Sequence, residues 1–61
     1  MRFKVMDKYM DNNYKWHVEK HECANRERAN ELAGAISKER NVQINAGEIK
    51  DYQTEVIYNA R

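Results

Sequence analysis

The feature that most constrains this chain is a short polar turn between two alternating segments, followed by a single helical pattern. The turn spans residues 11–14, with the sequence DNNY, and residues 2–10 and 14–22 on either side alternate between apolar and polar side chains. Alternation predicts strands, because successive side chains of a strand point to opposite faces of a sheet. The two segments and their turn therefore predict an antiparallel hairpin.

The turn sets the register of the hairpin. Asn12 and Asn13 are expected to be its central residues, because asparagine tolerates the positive φ angles of a two-residue turn. In that register Tyr9 lies opposite Trp16, and the apolar side chains share one face: Phe3, Val5, Tyr9, Tyr14, Trp16 and Val18. Trp16 is then expected to anchor the core, and its replacement by alanine to cost about 3–5 kcal/mol.

Residues 25–40 carry a helical pattern. Four apolar side chains recur with the spacing i, i+3, i+4 and i+7 and form one stripe: Ala29, Leu32, Ala33 and Ile36. Asn25 is the expected N-cap, and Asn41 is expected to end the helix in the left-handed conformation. Gly34 lies inside the helix, where close approach of the backbone to the sheet would explain it.

After the helix the pattern is less decisive. Residues 42–44 alternate and predict a short strand that ends in a turn at residues 45–48. Residues 49–58 fit a strand with one face formed by Tyr52, Thr54, Val56 and Tyr58. They also fit a helix that a cap at Asn45 would start. The density of β-branched and aromatic side chains favours the strand.

These elements predict an α+β fold in one small domain over residues 1–61. An antiparallel sheet of three or four strands, in the order ββαβ or ββαββ, carries one amphipathic helix on one face. The succession of hairpin, small-residue junction and alanine-rich helix over residues 2–40 resembles a pattern common among small α+β proteins, including some encoded by phages and mobile elements. That resemblance has no diagnostic motif and implies no site.

Length and composition restrict the function classes. A chain of 61 residues buries only about 60% of its unfolded surface, so a partner subunit would complete its small core. A single cysteine, Cys23, excludes an internal disulfide and fits a reducing, cytoplasmic compartment. We expect no signal peptide, because the start of the chain runs into strand-like alternation without an apolar h-region. We expect no membrane association, because no apolar run approaches the roughly 20 residues that span a bilayer.

The outer face of the predicted hairpin is basic. It carries Arg2, Lys4, Lys8 and Lys15, together with His17, Glu19, His21 and Cys23 of the second strand. Cations on a ribbon can contact nucleic-acid phosphates, so the four basic residues are the candidate nucleic-acid interface. A solvated sheet face explains the same pattern, and the aromatic side chains are expected to face the core. Nucleic-acid binding is therefore the alternative hypothesis.

The same face does not predict a metal site or a catalytic centre. His17 and His21 are about 13 Å apart on a strand, too far for both to bind one ion, and we expect no metal and no cofactor. Cys23 with His21 is the only nucleophile–base pair that the sequence suggests, and no third residue or oxyanion donor accompanies it. We therefore expect that the protein is not an enzyme.

The C-terminal segment is the candidate partner-binding surface. If residues 49–58 form a strand, Val56 and Ile57 cannot both face the core, so one of them is available to a partner. The residues assigned to this surface are Tyr52, Val56, Ile57 and Tyr58. We expect a small protein-binding module, which acts as a regulator or inhibitor by docking on another protein or which forms a homodimer.

Overall fold

The fold is an antiparallel sheet with one helix packed on one of its faces. A computed structural model describes residues 3–58 of the chain. Its elements are β1 (Phe3–Met10), β2 (Trp16–Cys23), α1 (Arg26–Asn45) and β3 (Asp51–Tyr58). The strands lie in the order β2-β1-β3, and β1 pairs antiparallel with both neighbours. The predicted α+β fold is confirmed, with three strands in the order ββαβ.

The hairpin forms as predicted, but its turn is longer by one residue. The Asp11 N–H donates to the Lys15 carbonyl oxygen at 2.9 Å, and the Tyr14 N–H donates to the Asp11 carbonyl oxygen at 3.0 Å. Asn12, Asn13 and Tyr14 therefore form a three-residue loop, in which Tyr14 is left-handed at φ 64°. The predicted two-residue turn is wrong. The Asp11 carboxylate stabilises the longer loop by accepting hydrogen bonds from the Asn13 and Lys15 N–H groups, at 2.8 and 3.0 Å.

The longer loop moves the register of β2 by one residue. Met10 pairs with Trp16, so every β2 side chain points to the face opposite to the predicted one. Trp16 and Val18 lie on the side of the sheet away from α1, where 48% and 51% of their surfaces are exposed. The prediction that Trp16 anchors the core is therefore wrong.

The core is a small cluster between α1 and the sheet. Val5, Cys23 and Ala29 are buried at its centre. Four partly buried side chains pack against them: Phe3, Leu32, Ala33 and Ile36. The apolar stripe predicted for the helix therefore meets the sheet. The helix also begins as predicted, because the Asn25 side-chain oxygen accepts a hydrogen bond from the Arg28 N–H at 2.9 Å.

The helix ends in a Schellman motif, in which Gly47 takes the left-handed conformation with φ 79°. Its N–H donates to the Ile44 carbonyl oxygen at 3.2 Å, and the Glu48 N–H donates to the Gln43 carbonyl oxygen at 2.9 Å. The helix end and the short strand predicted over residues 41–44 are wrong, because these residues belong to α1. The helix continues until it reaches a glycine that can adopt the left-handed cap.

The last strand was one of two alternatives for residues 49–58, and the structure confirms it. Residues 51–58 pair with β1 and leave the outer edge of β3 free. The Asn12 side chain donates hydrogen bonds to the carbonyl oxygens of Gly47 and Glu48, at 3.0 and 3.3 Å. The hairpin loop is thereby tied to the connection that leads from α1 into β3.

Gly34 lies on an exposed part of α1. No heavy atom lies within 4 Å of the position that a Cβ would occupy there. Close approach of the backbone to the sheet therefore does not explain this glycine, and that prediction is wrong. Nothing in the structure explains why a glycine stands at this position.

Candidate functional site

The side of the sheet opposite α1 is not covered by any element of residues 3–58, and we call it the open face. The buried side chains of Val5 and Asp7 on β1 mark the face that α1 covers. The alternate residues of the three strands then form the open face. They are Lys4, Met6, Lys8, Met10, Trp16, Val18, Lys20, Glu22, Asp51, Gln53, Glu55 and Ile57.

The open face has an apolar strip between its charged side chains. Trp16 and Val18 are among the exposed large hydrophobic residues of the described chain. Met6, Met10 and Ile57 lie on the same face and are half-buried. Trp16 and Val18 were predicted on the covered face, and the observed pairing of β1 with β2 places them on the other. The sequence signal for this register is Asp11, whose carboxylate accepts two hydrogen bonds within the longer loop.

Charges of opposite sign are separated across the open face. Its cations lie on β1 and β2, as Lys4, Lys8 and Lys20, and two of its acids lie on β3, as Asp51 and Glu55. Glu22 is a third acid, so the three lysines and three acids of the described face cancel. The face is therefore electrically neutral as a whole, with the positive charge on the central strand β1 and the negative charge on β3, since Lys20 and Glu22 cancel on β2.

The residues predicted to contact nucleic acid are only partly brought together. Lys4 and Lys8 lie on the open face, and Lys15 lies exposed in the loop before β2. Arg2 lies outside the described residues 3–58. The prediction that the aromatic side chains face away from these lysines is wrong for Trp16, which lies on their face.

The residues predicted to bind a partner are divided between the two faces of β3. Ile57 lies on the open face. Tyr52, Val56 and Tyr58 lie on the side of α1, although Val56 and Tyr58 remain exposed beside the free edge. The Tyr58 ring lies 5.0 Å from the Phe3 ring, measured between centroids. These four residues therefore do not form one surface.

A polar cluster lies on the covered side, next to the apolar core. Asp7 is 2% exposed, and its carboxylate accepts hydrogen bonds from Arg40 at 2.6 Å (Nη2) and 3.2 Å (Nε). The Arg40 guanidinium also donates to the Gln43 side chain at 2.8 Å and lies 4.0 Å from the centre of the Tyr9 ring. The hydrogen bonds with Asp7 raise the pKa of Arg40 above its usual value. This ion pair joins α1 to the central strand.

His17, Glu19 and His21 of β2 lie on the covered side beside this cluster, and Cys23 is buried in the core, so the prediction that they share the outer face with the lysines is wrong. His17 stacks on Tyr9 and approaches the Asp11 carboxylate at 2.7 Å. The hydrogen bond with His17 lowers the pKa of Asp11, and the bonds from the loop backbone act in the same direction. Glu19 and His21 lie further along β2 and, with Asp7, offer ligand atoms within 4.8 Å of one another.

Residues 3–58 enclose no pocket, and Cys23, the one candidate nucleophile, is buried in the core cluster.

Within residues 3–58, the helix α1 is not both long and apolar enough to cross a membrane. Comparison with protein-family models, curated proteins and solved structures found no match to this chain.

Proposed function

We propose that this chain is a small protein-binding module that docks through the open face of its sheet. The observation that carries the proposal is the exposure of Trp16 and Val18 beside Met6 and Met10 on a face without a covering layer. Tryptophan and methionine are enriched at protein interfaces, and a buried tryptophan often contributes much of the binding free energy. A docked partner would bury this apolar strip together with Lys4 and Lys8 of the central strand, and the charged side chains of the edge strands would lie nearer its rim.

One pair of opposite charges on the two edge strands of the open face favours a second copy of the chain as the occupant. A half-turn about an axis parallel to β1 would lay β2 of each copy over β3 of the other. Lys20 and Glu55 both pair with Met6, so they lie in one row on opposite edge strands. The half-turn therefore brings Lys20 of one copy onto Glu55 of the second copy, whereas Lys4 and Lys8 of the central strand each face their own counterpart. Two sheets packed in this way form a sandwich about 10 Å thick.

The size of the core supports the same proposal. In the described part of the chain, the buried hydrophobic residues are Val5, Cys23, Ala29 and Ile49. A core this small supplies only a few kcal/mol, and small domains commonly gain the remainder by oligomerisation. Covering the open face would add a second apolar layer on the other side of the sheet.

The test is the association state of the purified chain over a range of concentrations, measured by sedimentation equilibrium. Dimerisation of the wild type is expected, and Trp16→Ala and Ile57→Glu should both weaken it. Lys20→Glu should weaken it through repulsion by Glu55, and adding Glu55→Lys should restore it. Glu39→Lys is the matched control, because Glu39 is exposed on α1 and is not part of the open face.

Two results would refute this arrangement. A wild-type chain that stays monomeric at the highest concentration would exclude the second copy as occupant. A dimer that Lys20→Glu does not weaken, or that the double reversal does not restore, would exclude the half-turn about β1.

Nucleic-acid binding is the second candidate, because Trp16 shares the open face with Lys4 and Lys8. An exposed aromatic ring beside lysines can stack on a base while the cations contact phosphates. The acids on β3 oppose this function, since the whole face is neutral. Titration of a labelled single-stranded oligonucleotide at low salt tests it. Binding that weakens steeply with salt and disappears in Lys4→Glu/Lys8→Glu would establish it.

A further inference from the structure

We propose that Asp7, Glu19 and His21 form a binding site for one divalent transition-metal ion of the Zn²⁺ class. Their ligand atoms all lie within 4.8 Å of one another, and His21 Nε2 lies 3.8 Å from Glu19 Oε1. The site is on the covered side of the sheet, at the end of the polar cluster. It is therefore independent of the open face and of the function proposed for it.

The register of the hairpin creates this site. Glu19 and His21 are two residues apart on β2, so both point to the covered side, and Asp7 of β1 is the direct pairing partner of Glu19. No metal site was predicted from the sequence, because only the possible ligands on β2 were compared. In the predicted register Asp7 lies opposite Val18, and the third ligand is absent.

The balance of charge favours a cation at this position. Asp7 and Glu19 are acidic side chains in directly opposite positions of an antiparallel pair, an arrangement that is destabilising unless a cation lies nearby. Arg40 binds the Asp7 carboxylate and is the only cation that contacts it among the described residues. Two carboxylates and one guanidinium leave one negative charge at this end of the polar cluster.

The donor set fits a borderline transition metal better than Mg²⁺ or Ca²⁺. Imidazole nitrogen favours ions such as Zn²⁺, whereas Mg²⁺ and Ca²⁺ prefer oxygen ligands alone. Each Asp7 oxygen accepts one hydrogen bond from Arg40 and keeps a further lone pair, so Asp7 can bind an ion while Arg40 orients it. Three protein ligands and a water molecule would complete a tetrahedral site.

The geometry requires a movement of about an ångström, which the side chains of the two exposed ligands can make through their rotamers. Two ligand atoms of a tetrahedral Zn²⁺ site, each 2.0–2.1 Å from the ion, are about 3.4 Å apart. A pair that is 4.8 Å apart in the structure must therefore approach by about 1.4 Å. The side chains of Glu19 and His21 are 58% and 40% exposed, and no element confines them on the outer side of β2. Asp7 can therefore remain fixed by Arg40 while the other two ligands move.

The experiment is a calorimetric titration of the chain with Zn²⁺, with Co²⁺ absorption as a second readout of imidazole coordination. One equivalent of Zn²⁺ per chain is expected. His21→Ala and Glu19→Gln should each lower the affinity by about tenfold or more. His17→Ala is the matched control, because His17 lies on the same strand and face but binds Asp11 instead. Cys23→Ser should also leave the affinity unchanged, which distinguishes this site from binding by the neighbouring thiol.

The control variants determine how the result is interpreted. If Zn²⁺ does not bind, or if His17→Ala or Cys23→Ser lowers the affinity as much as His21→Ala does, the assignment is wrong. If the affinity survives both His21→Ala and Glu19→Gln, it is wrong as well. Circular dichroism of the metal-free variants verifies that each retains the wild-type fold, and Glu19→Gln provides the test should His21→Ala not fold.

Discussion

Replacing Arg40 with methionine tests whether the ion pair with Asp7 holds the helix on the sheet. The change keeps a long, helix-compatible side chain but leaves the Asp7 carboxylate without its partner. Asp7 is 2% exposed and the Arg40 side chain 15%, so neither group is fully solvated in the folded state. Removal of one partner from a buried pair costs about 3–5 kcal/mol. The residual exposure of Arg40 places the expected loss near the lower end, at about 3 kcal/mol.

That loss is large for a domain of this size. At about 0.05–0.15 kcal/mol per residue, a chain of 61 residues has a free energy of unfolding of about 3–9 kcal/mol. Arg40→Met should therefore leave a marginally folded chain. In Asp7→Val/Arg40→Met both charges are replaced by apolar side chains, and this double variant should recover most of the loss, since an apolar pair avoids the desolvation of two ions.

The assay is urea denaturation followed by far-UV circular dichroism, with Lys38→Met as the matched control. Lys38 is exposed on the same helix, so its replacement should change the free energy of unfolding by less than about 0.5 kcal/mol. If Arg40→Met costs no more than Lys38→Met, the ion pair does not hold the helix in place. If the double variant is less stable than Arg40→Met, the loss does not come from an unpaired carboxylate.

Three further predictions concern single positions. Gly34→Ala should raise the free energy of unfolding by up to about 1 kcal/mol, because an added Cβ meets no neighbour. Gly47→Ala should lower it by about 1 kcal/mol, because alanine is strained at a φ of +79°. Thermal denaturation of the two variants tests this contrast. The hydrogen bond with His17 lowers the pKa of Asp11, so this carboxylate stabilises the fold above its ordinary pKa of 3.8. That stabilisation is lost as the pH falls through the lower folded value; the stability difference between wild type and Asp11→Asn should therefore shrink in acid, and a constant difference would contradict it. Trp16→Ala should change the free energy of unfolding of the monomer by far less than the about 3–5 kcal/mol of a core tryptophan, because Trp16 is half exposed; a loss of that size in a urea titration would place it in the core.

Local patterns predicted the hairpin and the helix, and they favoured the strand over a helix for residues 49–58. Alternation identified β1 and β2, and the spacing of Ala29, Leu32, Ala33 and Ile36 identified the helix and the side that packs on the core. Asn25 gave the helix start, since a cap depends only on residues within one turn. These features are local, so each is fixed by a few neighbouring residues and needs no knowledge of the remaining chain.

Two local predictions, the two-residue turn and the short strand after the helix, were wrong because hydrogen bonds outweighed the residue propensities on which they rested. Paired asparagines favour a two-residue turn, but the Asp11 carboxylate binds two backbone N–H groups and stabilises a three-residue loop. Residues 42–44 alternate like a strand, but the helix continues to the glycine cap at Gly47. In both places the hydrogen bonds of the backbone, and not the apolar pattern, fixed the outcome.

The candidate sites depend on how the strands pair, whereas the helix and the strands themselves depend mainly on local sequence. A strand repeats every two residues, so the one-residue change in the loop moved every β2 side chain to the other face. Trp16 thereby joined the lysines on the open face, and Glu19 and His21 came to lie beside Asp7. The sequence by itself determined which elements form. The pairing of β1 with β2 decided which side chains meet, because contacts between strands depend on a register that alternation leaves open by one residue.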